Sequence, residues 1–341
     1  SDGIMQMHLH EHDRRGACFG ELSQTRSHCR EVGCFFITEE RNRSIMLNVL
    51  KVFCFFLLTG LVMTSTASAA DKIPVFVSVL PQKFFVEQIG KDLIDVRVMV
   101  EPGASPATYE PKPAQMVALS KARIYFSIGV PFEKIWLEKI ASANPAMKIV
   151  HTEQGIRKIP MIGHHHDEEE GHKAGHDDHG ILDPHVWLSP PLVMVQARNI
   201  LVNLQEIDPI HRAQYEANYR AFIAMLVELD GELRDIFAGE ENLQFMVFHP
   251  AWGYFAQAYG LRQVPIEIEG KEPKPAQLKG LIDYARKHNI KVVFAQPQFS
   301  LKSAHQVAKE IGGRVALADP LAADWAENLR AVAAQFEAVL R

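Results

Sequence analysis

The sequence predicts an α/β fold of two lobes, each a parallel four-stranded sheet covered by helices, joined by one long linking helix. Three observations carry this expectation. From residue 75 onward, short β-branched or apolar runs alternate with helical patterns, as they do where helices cover parallel sheets. The alternation occurs twice, in blocks of similar size before residue 160 and after residue 243. Between the blocks, helix formers run without interruption from Asp208-Pro209 to about Phe237.

In the first block, strands are expected at Val75–Val79, Val96–Val100, Ile124–Ile128 and Lys148–His151, with helices at about 82–90, 113–121 and 132–142 between them. A histidine-rich insertion then breaks the pattern, and a helix from about Pro191 to Gln205 follows it. In the second block, strands are expected at Phe245–Phe248, Val264–Ile268, Val292–Ala295 and Val315–Ala318. The helices there fall at about 251–259, 275–289, 301–311 and 323–340.

The linking helix opens with Asp208 at the cap and Pro209 at the first helical position, a strong start signal, and Gly239 ends it. Its apolar residues include Tyr215, Tyr219, Phe222, Met225, Leu226, Leu229, Leu233 and Phe237. At 1.5 Å per residue it would span about 40 to 45 Å, enough to run along both lobes. Gly231 is its weak point, costing about 1 kcal/mol relative to Ala, and is where a local kink would form.

Ahead of the fold lies a targeting signal. From Met46 the chain carries one lysine, Lys51, then an apolar stretch from Val52 to Met63 and small residues ending Ala67-Ser68-Ala69. This reads as a secretory signal peptide cut before Ala70 or Asp71 and too short to span a membrane. With no cysteine at a lipobox position, the mature protein is expected free in a bacterial periplasm. The expected divisions are an upstream extension at 1–45, read as a start codon placed too early, and the signal at 46–69. A first lobe at 71–207 carries the insertion at 163–180, and the linking helix at 208–238 leads to a second lobe at 239–341.

All four cysteines (Cys18, Cys29, Cys34, Cys54) precede the cleavage site, so the mature chain has no thiol. A disulfide framework and a cysteine-based zinc site are both excluded there. A net charge of −5 without a basic cluster argues against nucleic acid.

Chemistry concentrates around residues 164–190. The run from His164 to His179 interleaves six histidines (His164, His165, His166, His172, His176, His179) with six carboxylates. It cannot bury a core, but it offers nitrogen and oxygen donors to a borderline metal ion. A solvated acidic loop is the plain alternative. A purification-tag scar fits poorly, because the run is internal and mixed with Asp and Glu.

In open parallel sheets, ligands bind at the carboxyl ends of strands, and three donors fall near such places. His249 follows a strand directly, Asp319 follows another, and His185 lies in the turn after the histidine-rich run. Taken singly, Asp319 could cap the next helix, His249 could be an interior histidine, and His185 could orient a turn. Trp187 and Trp252 could flank a cleft, with packing the commoner role for such residues, and Glu133 and Trp136 suit a helix start.

Several segments together resemble the zinc-binding members of the TroA-like, cluster A-I solute-binding proteins that serve ABC importers for zinc and manganese. They are PGASP at 102–106 with Tyr109 and Pro113, GVPFEKIWLEK at 129–139, DPHVWLSP at 183–190, FHPAWGYFAQAYGL at 248–261, IEGKEP at 268–273 and DPL at 319–321. DPHVWLSP and FHPAWGYFA are specific; the others support them. The resemblance implies a Zn(II) ion carried between the lobes by His185, His249 and Asp319, with the histidine at 249 marking the zinc branch. It also implies a monomer that works with an ABC permease and its ATPase.

One departure stands out. The family motif continues PGASPH, and this chain has Ala107 where that histidine belongs. Zinc strongly prefers four ligands, so the vacancy is filled by water, by a histidine of the 163–180 segment, or by a carboxylate from Glu110, Glu267 or Glu269. The histidine-rich segment would then serve as an accessory collector of zinc. Two rival functions are a periplasmic zinc buffer or chaperone without a permease, and a zinc-dependent hydrolase with Glu267 or Glu269 as base. No His-Glu-x-x-His helix supports the hydrolase.

Overall fold

A computed structural model describes residues 46–52, 71–161, 182–240, 243–268 and 270–340. The chain divides into two units at Ser68/Ala69. In the first, residues 46–52 form an exposed helix, α1. The 1–45 extension and the rest of the expected signal segment lie outside the described residues.

The second unit contains two four-stranded, all-parallel sheets. The first comprises β1 (Ile73–Val77), β2 (Ile94–Val98), β3 (Ile124–Ser127) and β4 (Lys148–His151), ordered β2-β1-β3-β4. The second comprises β5 (Gln244–Val247), β6 (Arg262–Pro265), β7 (Val292–Ala295) and β8 (Arg314–Leu317), ordered β6-β5-β7-β8. Central strands such as β1 and β7 bury successive residues on both faces, as helix-covered parallel strands must. The identical order places a switch point between β1 and β3 and another between β5 and β7, where loops diverge and leave room for a ligand.

The connecting helices are α2 (Leu80–Gly90), α3 (Pro113–Leu119), α4 (Pro131–Ala143) and α5 (Pro190–Ile207), then α7 (Gly253–Ala258), α8 (Pro275–Lys287), α9 (Lys302–Glu310) and α10 (Trp325–Leu340). Four of them begin on proline, whose missing N–H costs nothing in the first turn. The same device starts α3 and α8: Gln115 and Gln277 each reach back to accept the backbone N–H of Lys112 and Lys274, both at 2.9 Å.

The linking helix α6 runs over Arg212–Ile236, about 38 Å at 1.5 Å per residue, and continues through Gly231. Its start differs from expectation. Asp208 does not cap backbone amides; its carboxylate accepts the Tyr215 hydroxyl and His211 Nδ1, each at 2.7 Å. Pro209–His211 therefore form a 3-10 turn, and the α-helix begins after it.

Tyr215, Phe222, Leu226, Leu229 and Leu233 make one buried stripe at helical spacing on α6. That stripe packs against α2 and α5 from the first half and α10 from the second. Phe85 of α2 joins the three, with ring centroids 6.0 Å from Phe222 and 5.0 Å from Trp325. One apolar core consequently extends from β1 to α10, and a smaller one fills the space between the second sheet and α8 and α9.

Candidate metal site

His249 stands two residues beyond β5, at the switch point. The buried Gln296, just beyond β7, clamps its backbone: His249 N–H donates to Gln296 Oε1 at 2.8 Å, and Gln296 Nε2 donates to the His249 carbonyl at 2.7 Å. The ring stacks on Phe299 at 5.0 Å, and its Nδ1 meets Glu267 Oε1 at 2.8 Å. A carboxylate can only accept, so Nδ1 carries a proton and Nε2 is the nitrogen left for a metal.

His185 is held the same way from another part of the chain. Asp183 Oδ1 accepts both the backbone N–H of His185, at 2.9 Å, and its ring Nδ1, at 2.7 Å. Burial pushes the His185 pKa below the ordinary 6.5, outweighing the opposing pull of Asp183, so the neutral ring is favoured. Asp183 is buried and is fixed from the second half, where the Tyr254 hydroxyl of α7 donates to its carbonyl at 2.8 Å. Gly253 leaves room for this approach: a Cβ there would lie 2.7 Å from Asp183 Oδ2.

The two imidazoles meet edge to face, with centroids 5.2 Å apart and planes at 72°. They line a cavity of about 60 Å³, enough for an ion with a small ligand. Carboxylate–histidine pairs of this kind fix the tautomer and raise the basicity of a metal-binding nitrogen. Two imidazoles lining one cavity can hold a borderline divalent ion.

Asp319 follows β8, but both of its side-chain bonds fall on Oδ1, from Gln298 Nε2 at 2.8 Å and from the Leu321 N–H at 2.9 Å. Its neighbours Pro320 and Leu321 line the cavity, and Asp319 itself does not. Among the described residues no three His, Cys, Asp or Glu side chains are gathered as a ready metal cluster. The structure thus brings His185 and His249 together and sets Asp319 one residue away from the lining.

Ala107 also lines the cavity, so the substituted motif position lies at the site. Glu110 is exposed and lines none of it. Glu267 is engaged behind His249, and its second oxygen, Oε2, is buried without a partner among the described residues. Glu269, His164, His165, His166, His172, His176 and His179 lie outside the described residues.

Trp187 both packs and lines the cavity. It sits edge-on to His185, donates Nε1–H to the Pro320 carbonyl at 2.7 Å, and accepts Trp325 Nε1–H on its own carbonyl at 2.7 Å. Trp252 is buried against Phe255 and lines none of the cavity. Glu133 ties down the turn after β3 rather than the start of its own helix, accepting the N–H groups of Ile128, at 3.0 Å, and Gly129, at 2.7 Å, and the Ser78 hydroxyl. Burial pushes its pKa up to about 7. That turn leads into Val130 and Pro131, which wall the cavity.

A family model described as "ZnuA: Zinc-uptake complex component A periplasmic" matches residues 75–339. The chain belongs to this family. The high-affinity zinc uptake system protein ZnuA of Bacillus subtilis (strain 168) is 32% identical over 277 residues, covering 79% of this chain and 86% of that protein. The iron-binding protein YfeA of Yersinia pestis is 28% identical over 286 residues, covering 81% and 88%. Among solved structures, a crystal structure of ZnuA is 46% identical with a TM-score of 0.72, covering 79% of this chain and 99% of that one. A ZnuA deletion mutant solved with zinc bound is 47% identical with a TM-score of 0.71, covering 78% and 97%.

Proposed function

We propose that this chain is a periplasmic high-affinity zinc-binding protein that delivers Zn(II) to an ABC-type importer, with His185 and His249 as the core of its site. One observation carries the reading. Two imidazoles, each with Nδ1 held by a buried carboxylate, line one cavity beside the strand ends, which leaves Nε2 of each as the nitrogen for a metal. Imidazole suits zinc better than it suits the oxygen-seeking manganese, and the family and its zinc-named relatives support the same ion.

Asp319 is the third protein ligand in this reading. With both bonds on Oδ1, its Oδ2 is the atom offered to the metal, after a short movement toward the cavity. Asp183 and Glu267 orient the histidines without touching the ion. Zinc is cargo here and undergoes no reaction; the family comprises solute-binding components, not enzymes.

Family membership supports an ABC permease and its ATPase as partners and a periplasmic location. A monomer, reached through a signal at 46–69 cleaved near Ala70, completes the proposal, with lobes at 71–207 and 239–341 joined by the 208–238 segment. Among the described residues no helix is long and apolar enough to cross a membrane. The six histidines of the 163–180 segment act as weak accessory sites. Zinc titration of His185→Ala and His249→Ala tests the proposal, which requires each to weaken the tight site.

A further inference from the structure

Zinc in proteins takes four ligands as a rule, and the cavity presents two imidazoles with one carboxylate beside it. On the wall formed by Ala107 there is only a methyl group. Ser105 next to it already accepts the Ala107 N–H at 3.3 Å, and Val130, Pro131 and Leu321 bring no side-chain donor. Around Ala107 a metal-bound water would find few of the two to four polar partners that buried water needs.

One polar atom is left over. Gln298 lines the cavity, and its Nε2 is committed to Asp319, which settles the orientation of the amide. Its Oε1 is sealed from solvent and has no partner among the described residues. The two protein imidazoles each pass an N–H to an acceptor behind them, Asp183 and Glu267. Gln298 Oε1 is an acceptor of the same kind with no ring attached to it.

We propose that the open side of the site takes a small heterocyclic nitrogen donor from solution, of the imidazole class that includes free histidine. One ring nitrogen completes the zinc sphere beside Ala107, and the distal N–H donates to Gln298 Oε1. The transported species is then zinc together with this ligand. The inference rests on the zinc-binding reading of His185 and His249.

Cobalt(II), whose visible absorption reports its ligand set, provides the test on the full chain, with imidazole as the probe. In the wild type, millimolar imidazole should shift and intensify the cobalt bands to saturation. In Ala107→His the bands should start near that end point and not respond, and zinc affinity without imidazole should rise at least tenfold. Cobalt held by the histidine-rich segment contributes equally to both proteins and cancels, and His249→Ala, which keeps Ala107, should lose the response. An insensitive wild type, or equal responses in wild type and Ala107→His, would overturn the inference. Failure of the underlying reading looks different: His185→Ala and His249→Ala would leave the cobalt bands of the wild type unchanged.

Discussion

The Tyr254 hydroxyl donates to the carbonyl of Asp183 at 2.8 Å, and Asp183 in turn orients His185. Because Tyr254 follows His249 by five residues, one short segment of the second half carries one histidine and braces the other. The same hydroxyl accepts the Ile159 N–H at 3.1 Å.

Tyr254→Phe strips both groups of their partner. Stability should fall by about 1–3 kcal/mol, the cost of leaving buried polar groups unpaired. Denaturant unfolding of metal-free protein measures this, and a variant as stable as the wild type would show that the bond carries nothing.

Asp183→Asn replaces the acceptor behind His185 with an amide that can no longer favour the same tautomer. Zinc affinity should drop about 10–100-fold, the usual effect of losing a carboxylate behind a metal-binding histidine. Gly253→Ala should lower it in the same direction, because the new methyl meets Asp183 Oδ2 at 2.7 Å and must displace it. Competition against a zinc chelator reads both variants.

Glu133 imposes a pH dependence on stability. Its carboxyl is raised from the ordinary 4.5 to about 7 in the fold, so between those values the folded state holds a proton that the unfolded chain releases. Stability from this group is full below pH 4.5 and is lost as pH rises to 7, by about 3 kcal/mol at 1.4 kcal/mol per unit. Glu133→Gln should therefore be most destabilising near pH 4.5 and progressively less so toward pH 7. A penalty independent of pH would exclude a titrating Glu133.

Zinc affinity should be level between pH 8 and 7 and fall below about pH 6. Burial holds His185 below the ordinary 6.5, so protons displace metal there only under more acidic conditions than at an exposed histidine. Each imidazole that titrates should cost about tenfold per pH unit. Affinity unchanged down to pH 5 would count against imidazole ligation.

Deleting residues 163–180 should lower the number of zinc ions bound while one tight site remains. Calorimetric stoichiometry checks this, and disappearance of the tight event would mean that the segment supplies a primary ligand.

Both sheets were legible from the alternation of apolar runs with helical stretches, because helix-covered parallel strands are buried on both faces. Strand ends were less so. Val79 and Val100 extend the apolar runs of β1 and β2 and are buried, yet lie beyond the paired residues, since hydropathy reports burial and not pairing. Asp208 carried the signal of a helix cap but serves Tyr215 and His211, a choice made by side-chain packing around the turn. At the site, His185, His249 and the substitution at Ala107 could be read from local motifs. Glu267, Gln296 and Gln298 could not be assigned their roles, because those depend on contacts 18 to 47 residues apart that exist only once β5, β6, β7 and β8 are assembled.

Calorimetric titration of zinc into the wild type, His185→Ala and His249→Ala tests the paired-imidazole site most directly. The wild type should show one tight event above the weaker binding of the histidine-rich segment, and each substitution should abolish it or weaken it by at least a hundredfold while the weaker binding persists. A tight event retained in both variants would contradict zinc capture by this pair of histidines.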